Sequence, residues 1–158
     1  MVAIGAKLRL ASTVGERVVD AAGLYNDDGI DYVRKRPDEL LVDIQLPPTN
    51  GWRASYQKLR RRGAFDFPVL GVAAWIKTDG SAVTDAKVIL GAIAPSPVEI
   101  KEAAAALQGQ PFDEERIQAA AEAAYVKARP LDNTDFVYQW RKQMARQYTL
   151  RALRELQT

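Results

Sequence analysis

Lys58, Arg60, Arg61 and Arg62 place four positive charges within five residues, with no acid among them. Cations this close together can hold an anion, either an anionic ligand or an acidic partner surface. Gly63 breaks the run and Asp66 adds one carboxylate. Pro68 stiffens the entry to Val69–Ile76, which is apolar throughout. A charged edge feeding straight into a buried strand puts its cations at the rim of a sheet. A Lys-Arg run on a strand edge can also be a solvated device against addition of a further strand, and both readings stand at this stage.

Other chemistries are excluded by residue type. The chain has no cysteine and no histidine. Thiolate nucleophiles, iron–sulfur ligation, ordinary zinc sites and Ser-His-Asp triads are therefore out of reach. Serines and threonines fall in turns with no imidazole to activate them, and the carboxylates fall at helix starts and turns, where capping accounts for them. Asn26-Asp27-Asp28-Gly29 reads as a turn, because the spacing and distal Glu of a calcium loop are missing. No GxGxxG and no Walker loop is present, so the chain carries no phosphate cradle of its own. A nucleic-acid binder would want aromatics interleaved with the cations or a basic recognition helix. The last helix is basic, but its aromatics belong to its apolar stripe.

The elements that must position the cation cluster follow from pattern. At 158 residues, 47% hydrophobic and 27% charged, with a net charge of +2, the chain reads as one domain, or a domain with a piece of another. No apolar run reaches membrane-spanning length and MVAIGAKLRL has no signal pattern, so the expectation is a cytoplasmic protein. Val2–Leu10 and Glu16–Asp20 read as a hairpin about Ser12–Gly15. Arg34–Glu39 reads as a surface turn, and Leu40–Leu46 as a strand ended by Pro47-Pro48. Trp52–Leu59, Val69–Ile76 and Val83–Ile93 follow as antiparallel strands, the last two joined at Asp79-Gly80.

The period then becomes helical. Ser96-Pro97-Val98-Glu99 has capping-box spacing for a first helix that stops at Gly109. Asp113 caps a second, whose stripe is Ile117, Ala120, Ala121, Ala124 and Tyr125. Asn133 or Thr134 caps a third, with Val137, Trp140, Met144 and Tyr148 on its apolar face and Arg141, Lys142, Arg146, Arg151 and Arg154 on the rest. Strands first and helices after give an α+β class: three to four antiparallel strands with three helices on one face. A chain that opens in what reads as a strand is expected to follow an earlier half.

Several blocks in register carry a resemblance: DELLVDIQLP at 38–47, YQKLRRRGAFDFPVLGVAAWI at 56–76, AKVILGAIAPSPVEI at 86–100, and a basic closing helix with WRKQMARQYTLRAL. In order and spacing the chain resembles the C-terminal half of the FAD-binding (medium) subunit of the molybdenum hydroxylases. These include xanthine dehydrogenases, carbon monoxide dehydrogenases and 4-hydroxybenzoyl-CoA reductases, and segment 131–142 is most similar to the last branch.

The resemblance implies that residues 1–46 are the tail of the FAD-binding domain and 52–158 a compact C-terminal α+β domain. It implies FAD as cofactor of the complete subunit, with electrons passing between iron–sulfur clusters and the flavin. It implies as partners the missing FAD-binding half, a molybdopterin-binding subunit and a 2Fe-2S subunit, with neither nucleic acid nor membrane. By residue, it implies Leu40 and Leu41 at the edge of the isoalloxazine ring, Lys58 reaching the FAD, and Asp66 close by. The family's glycine-rich FAD segments lie in the preceding half, so this chain alone is expected neither to hold FAD tightly nor to be catalytic. The alternative is a non-catalytic interaction module whose basic edge and last helix dock an acidic subunit surface.

Overall fold

The computed structural model describes residues 1–63, 65–132 and 136–157. Its elements are β1 (Lys7–Ser12), β2 (Gly15–Asp20), β3 (Leu40–Gln45), β4 (Trp52–Arg60), β5 (Pro68–Asp79), β6 (Ala82–Gly91), β7 (Val98–Glu99), α1 (Lys101–Leu107), α2 (Glu114–Lys127) and α3 (Tyr138–Glu155). The strands make two antiparallel sheets, ordered β2-β1-β3 and β4-β5-β6-β7. The α+β class, with three helices over one sheet face, is the one expected from the pattern.

Strand alternation builds the larger sheet. Leu70, Val72, Ala74 and Ile76 of β5, with Ala86, Val88 and Leu90 of β6, point to the helices and are buried against Leu107, Ile117 and Leu153. Ala120, Ala124, Ala145 and Ala152 are fully buried in the same core, and side chains this small let helices and sheet approach closely. At the far end of α3, the Glu155 carboxylate accepts from Ser55 Oγ at 2.5 Å and Gln57 Nε2 at 2.7 Å, tying the helix to β4. On the opposite sheet face, Ala3, flanked by Val2 and Ile4, packs on Trp75 and Ile89. Trp52 stacks on Trp75 with centroids 5.2 Å apart and planes 13° apart.

The structure corrects four readings. The first strand starts at Lys7; Ile4 precedes it and packs against both the Trp75–Ile89 cluster and the Leu8–Ala21 cluster. The capping box at Ser96–Glu99 does not form. Val98 and Glu99 pair with Leu90 and Ile89 as β7, and α1 starts after Ile100, which has no side-chain cap. Ile100 is 1% exposed and its N–H donates to Val88 O at 2.8 Å, so pairing along β6 and burying an isoleucine outweigh a capping box worth about 1 kcal/mol. The buried face of α3 is Arg141, Ala145, Thr149, Ala152 and Leu153, while Val137 is exposed; Arg141 thus belongs inside, away from the basic surface. The expected caps Asn133 and Thr134 lie outside the described residues. Asp113 does cap α2, accepting from the Arg116 N–H at 3.0 Å.

The fourth correction is confined to Glu39: the turn at 34–39 lies on the surface as read, with residues 36–38 exposed, but its last residue does not. Glu39 is 2% exposed. Its carboxylate accepts from Arg17 Nε at 2.6 Å and from the Arg36 N–H at 2.7 Å, so it pins the turn to β2. The Arg17 guanidinium, aided by the Arg36 N–H, holds the Glu39 carboxyl down to about 2 from 4.5. A depressed carboxylate contributes stability above its unfolded value that disappears as pH falls through its folded value. The stability gap between the native chain and Glu39→Gln is therefore expected to be full at pH 7, and to close between about pH 4.5 and 2. Urea midpoints measured for both across that range check it; a gap independent of pH would contradict the pinning role.

The smaller sheet has two edge strands, β2 and β3, and β3 is the more apolar of them. β1 is central, with Leu8 and Leu10 buried. β3 is an edge strand, and its Leu40, Leu41, Val42 and Ile44 are 75%, 48%, 47% and 45% exposed. Asp43 is tied to Arg9 by contacts of 2.8 and 2.5 Å. The apolar side chains of this edge strand stay exposed on both faces, while Asp43, a register irregularity against β1 and Pro47-Pro48 just beyond its end are the features that limit further pairing.

Candidate functional site

The register of the larger sheet brings the predicted cation alongside two glycines of neighbouring strands. Lys58 on β4 stands across from Gly71 on β5, and Gly71 across from Gly91 on β6. By alternation all three face away from the helices, as do Tyr56, Ala73 and Ile89 in the adjoining row. The Tyr56 side chain lies over Gly71: a Cβ built there would stand 2.9 Å from the tyrosine hydroxyl oxygen. Glycine inside an apolar strand marks such a close approach. Tyr56, Gly71 and Gly91 floor a cleft of about 290 Å³, walled by Met1, Val2, Ala3, Tyr25 and Pro97.

Lys58 and Asp66 are brought together by the loop between β4 and β5. Lys58 Nζ donates to the main-chain oxygen of Asp66 at 2.9 Å. The Asp66 carboxylate is used within its own loop, accepting from Arg62 Nη2 and the Arg62 N–H, both at 3.0 Å, and from the Phe67 N–H at 2.9 Å. The Arg62 guanidinium with these two N–H groups holds its carboxyl well below the usual carboxylate range. Asp66 is therefore a brace for the loop, and the exposed Lys58 ammonium is the charge offered outward. Beside them a recess of about 450 Å³ is lined by Lys58, Arg60, Arg62, Phe65, Asp66, Phe67 and Pro68. Phe65 and Phe67 are 96% and 88% exposed, so the rim combines cations with two uncovered aromatic faces.

Leu40 and Leu41 sit elsewhere, on β3 of the smaller sheet, opposite Ala11 and Leu10. Within this chain the four predicted residues thus form one hydrogen-bonded pair and one separate apolar pair. Sequence reasoning missed Tyr56, Gly71 and Gly91. Two signals could have found them: Tyr56 shares the strand face of Lys58 two residues on, and Gly71 interrupts a β-branched and aromatic run.

The arrangement can receive a flat apolar surface along the Tyr56–Gly71–Gly91 strip and an anionic group at Lys58. Among the described residues no group of three or more metal-ligating side chains comes together, and no helix is long and apolar enough to cross a membrane.

Residues 54–156 match the model of the CO dehydrogenase flavoprotein C-terminal domain. The carbon monoxide dehydrogenase medium chain of Hydrogenophaga pseudoflava is 28% identical over 155 residues, 96% of this chain and 52% of its own length. The aldehyde oxidoreductase FAD-binding subunit PaoB of Escherichia coli (strain K12) is 34% identical over 100 residues, 63% of this chain and 28% of its own length. Among solved structures, carbon monoxide dehydrogenase from Hydrogenophaga pseudoflava lacking the Mo-pyranopterin moiety of its cofactor superposes with a TM-score of 0.88 at 30% identity. That match covers 97% of this chain and 53% of the other. Quinoline 2-oxidoreductase from Pseudomonas putida 86 gives 0.85 at 26% identity, covering 98% and 53%. The chain spans about half the length of the Hydrogenophaga subunit.

Proposed function

The chain belongs to the CO dehydrogenase flavoprotein C-terminal domain family, and from that premise we propose that it is part of the flavoprotein subunit of a molybdenum hydroxylase. Its role there is to supply a secondary wall of the FAD site and a docking surface for the neighbouring subunits. The observation that carries the reading is the row Lys58–Gly71–Gly91 with the Tyr56 ring lying over Gly71: a cation at the end of a strip where a tyrosine ring and Gly91 offer a flat surface to a planar group with an anionic edge.

Lys58 would hold the cofactor's anionic part, Tyr56 and the two glycines would face its planar part, and Asp66 would hold the loop that orients Lys58. Leu40 and Leu41 would close the ring edge from the smaller sheet and exclude water. FAD, when bound, supplies the electron exchange; no catalytic side chain is assigned to this chain, and it is not proposed to act alone. Residues 1–46 are taken as the end of the FAD-binding domain and 52–158 as the C-terminal domain. The open, two-faced apolar edge of β3 supports a covering polypeptide equivalent to the other half of the relatives. The molybdopterin-binding and 2Fe-2S subunits are the further partners in this reading, and the cytoplasm its compartment. The segment at 131–142 supports a place near the 4-hydroxybenzoyl-CoA reductase branch.

The test is to prepare the FAD-binding half separately, mix it with this chain and titrate FAD while following flavin fluorescence. Flavin retained by the mixture, and weakly or not at all by either piece, is the expected result. A mixture that assembles but retains no flavin overturns the flavin reading and leaves the non-catalytic docking module in its place.

A further inference from the structure

Arg141 is the largest charged group inside the core that the flavin reading leaves unused. It is 3% exposed, on the face of α3 that packs against the larger sheet. The neighbours that follow it on that face, Ala145, Thr149 and Ala152, are small, so α3 lies close to the strands and the long Arg141 side chain runs between them. Among the described residues its guanidinium donates to the carbonyls of Leu131, Ala92 and Val69. Nη1 reaches Leu131 O at 2.5 Å, and Nη2 reaches Ala92 O at 2.5 Å and Val69 O at 3.2 Å. Ala92 has φ +62°, a left-handed conformation an alanine rarely takes, and its carbonyl is one of the two that Nη2 holds.

These contacts fall at one corner of the sheet. Val69 is the second residue of β5, and the segment just before it is Asp66-Phe67-Pro68, whose Asp66 oxygen receives Lys58 Nζ. Arg141 thus grips from behind the chain segment whose front orients Lys58. Burying a guanidinium is costly unless its donors are satisfied by fixed acceptors, and its planar fork matches several acceptors at once in a way an ammonium does not.

We propose that Arg141 is a positioning residue for the Lys58–Asp66 rim: it fixes the entry of β5 by clamping Val69, Ala92 and Leu131, and so sets where the rim cation stands. Its importance to cofactor binding rests on the flavin reading; the clamp itself does not.

The experiment compares Arg141→Lys with Thr149→Ala by amide exchange in the full chain. Thr149 is buried on the same helix face and donates to Ala145 O, so its loss weakens α3 without touching the rim. Arg141→Lys is expected to speed exchange of the Arg62 and Phe67 amides, which bond Asp66, and of the Leu70–Val72 amides, by about tenfold or more, while amides of residues 117–124 keep their protection. Thr149→Ala should leave the rim amides unchanged. Equal acceleration everywhere in Arg141→Lys, or acceleration of the rim in both variants, assigns Arg141 to general stability and overturns the proposal. Unchanged rim exchange in Arg141→Lys overturns it too.

A second arm adds the FAD-binding half and FAD to Arg141→Lys. Weaker flavin retention together with a loosened rim supports both inferences. A loosened rim with undiminished retention leaves the clamp standing and counts against the rim as a flavin wall.

Discussion

Replacing Lys58 by glutamate is expected to weaken FAD binding by the assembled flavoprotein about tenfold to a hundredfold. A hydrogen bond to a charged group contributes about 1.5–3 kcal/mol, and each 1.4 kcal/mol is about a factor of ten in affinity. Lys58 is exposed at the rim and, among the described residues, donates to a main-chain oxygen, that of Asp66. Its removal therefore costs the fold little, and the loss falls on the ligand. Lys58→Met should give part of the effect, and Lys58→Glu the whole, because the reversed charge also repels an anion. Flavin fluorescence titrations at two salt concentrations check it: the native protein's affinity should fall more with salt than that of Lys58→Met. Unchanged affinity in Lys58→Glu would remove Lys58 from the site.

Ile117→Ala is expected to lower the unfolding free energy by about 2–5 kcal/mol, the range for truncating a buried isoleucine. Ile117 is fully buried on α2, and the other buried residues of that helix are Ala120, Ala121 and Ala124. An alanine stripe has no long side chain to swing into the space, so the cavity should persist and the cost should lie in the upper part of the range. At this size the shift in Tm is on the order of 10 °C. Urea unfolding should show a lower midpoint with an unchanged slope. A loss below about 1 kcal/mol would mean that α2 is not held by this contact.

Much of the architecture could be read from local signals. The hairpin at Ser12–Gly15, the Asp79-Gly80 turn, the apolar β5 and the Asp113 cap each depend on residues a few positions apart, and each formed as expected. The start of α1 could not be read, because a capping box competed with a distant strand edge at Val88–Leu90 that local spacing does not see. Glu39 and Arg141 were unreadable for a related reason. A charged residue scores as surface until its partners are known, and theirs lie 22 and up to 72 residues away. In the candidate site, Lys58 and Asp66 are eight residues apart and meet across a single connection, a pairing short-range spacing can suggest. Tyr56, Gly71 and Gly91 join them only through the register of three strands, which no single stretch of sequence states.

The stacked pair Trp52 and Trp75 gives the molecule a built-in optical gauge. Two near-parallel indoles 5.2 Å apart couple their electronic transitions, and the coupling falls steeply with separation. Trp52 opens β4 just after the Thr49-Asn50-Gly51 loop, and Trp75 packs against Ala3 on the far side of that junction. The third tryptophan, Trp140, stacks on Phe136 instead and stays out of the coupled signal. The far-ultraviolet exciton couplet of this pair, from the strong indole transitions, is therefore expected to report whether the loop and the amino-terminal residues are seated on the sheet. It gives a label-free readout of docking at the junction that needs neither flavin nor a partner's own chromophore.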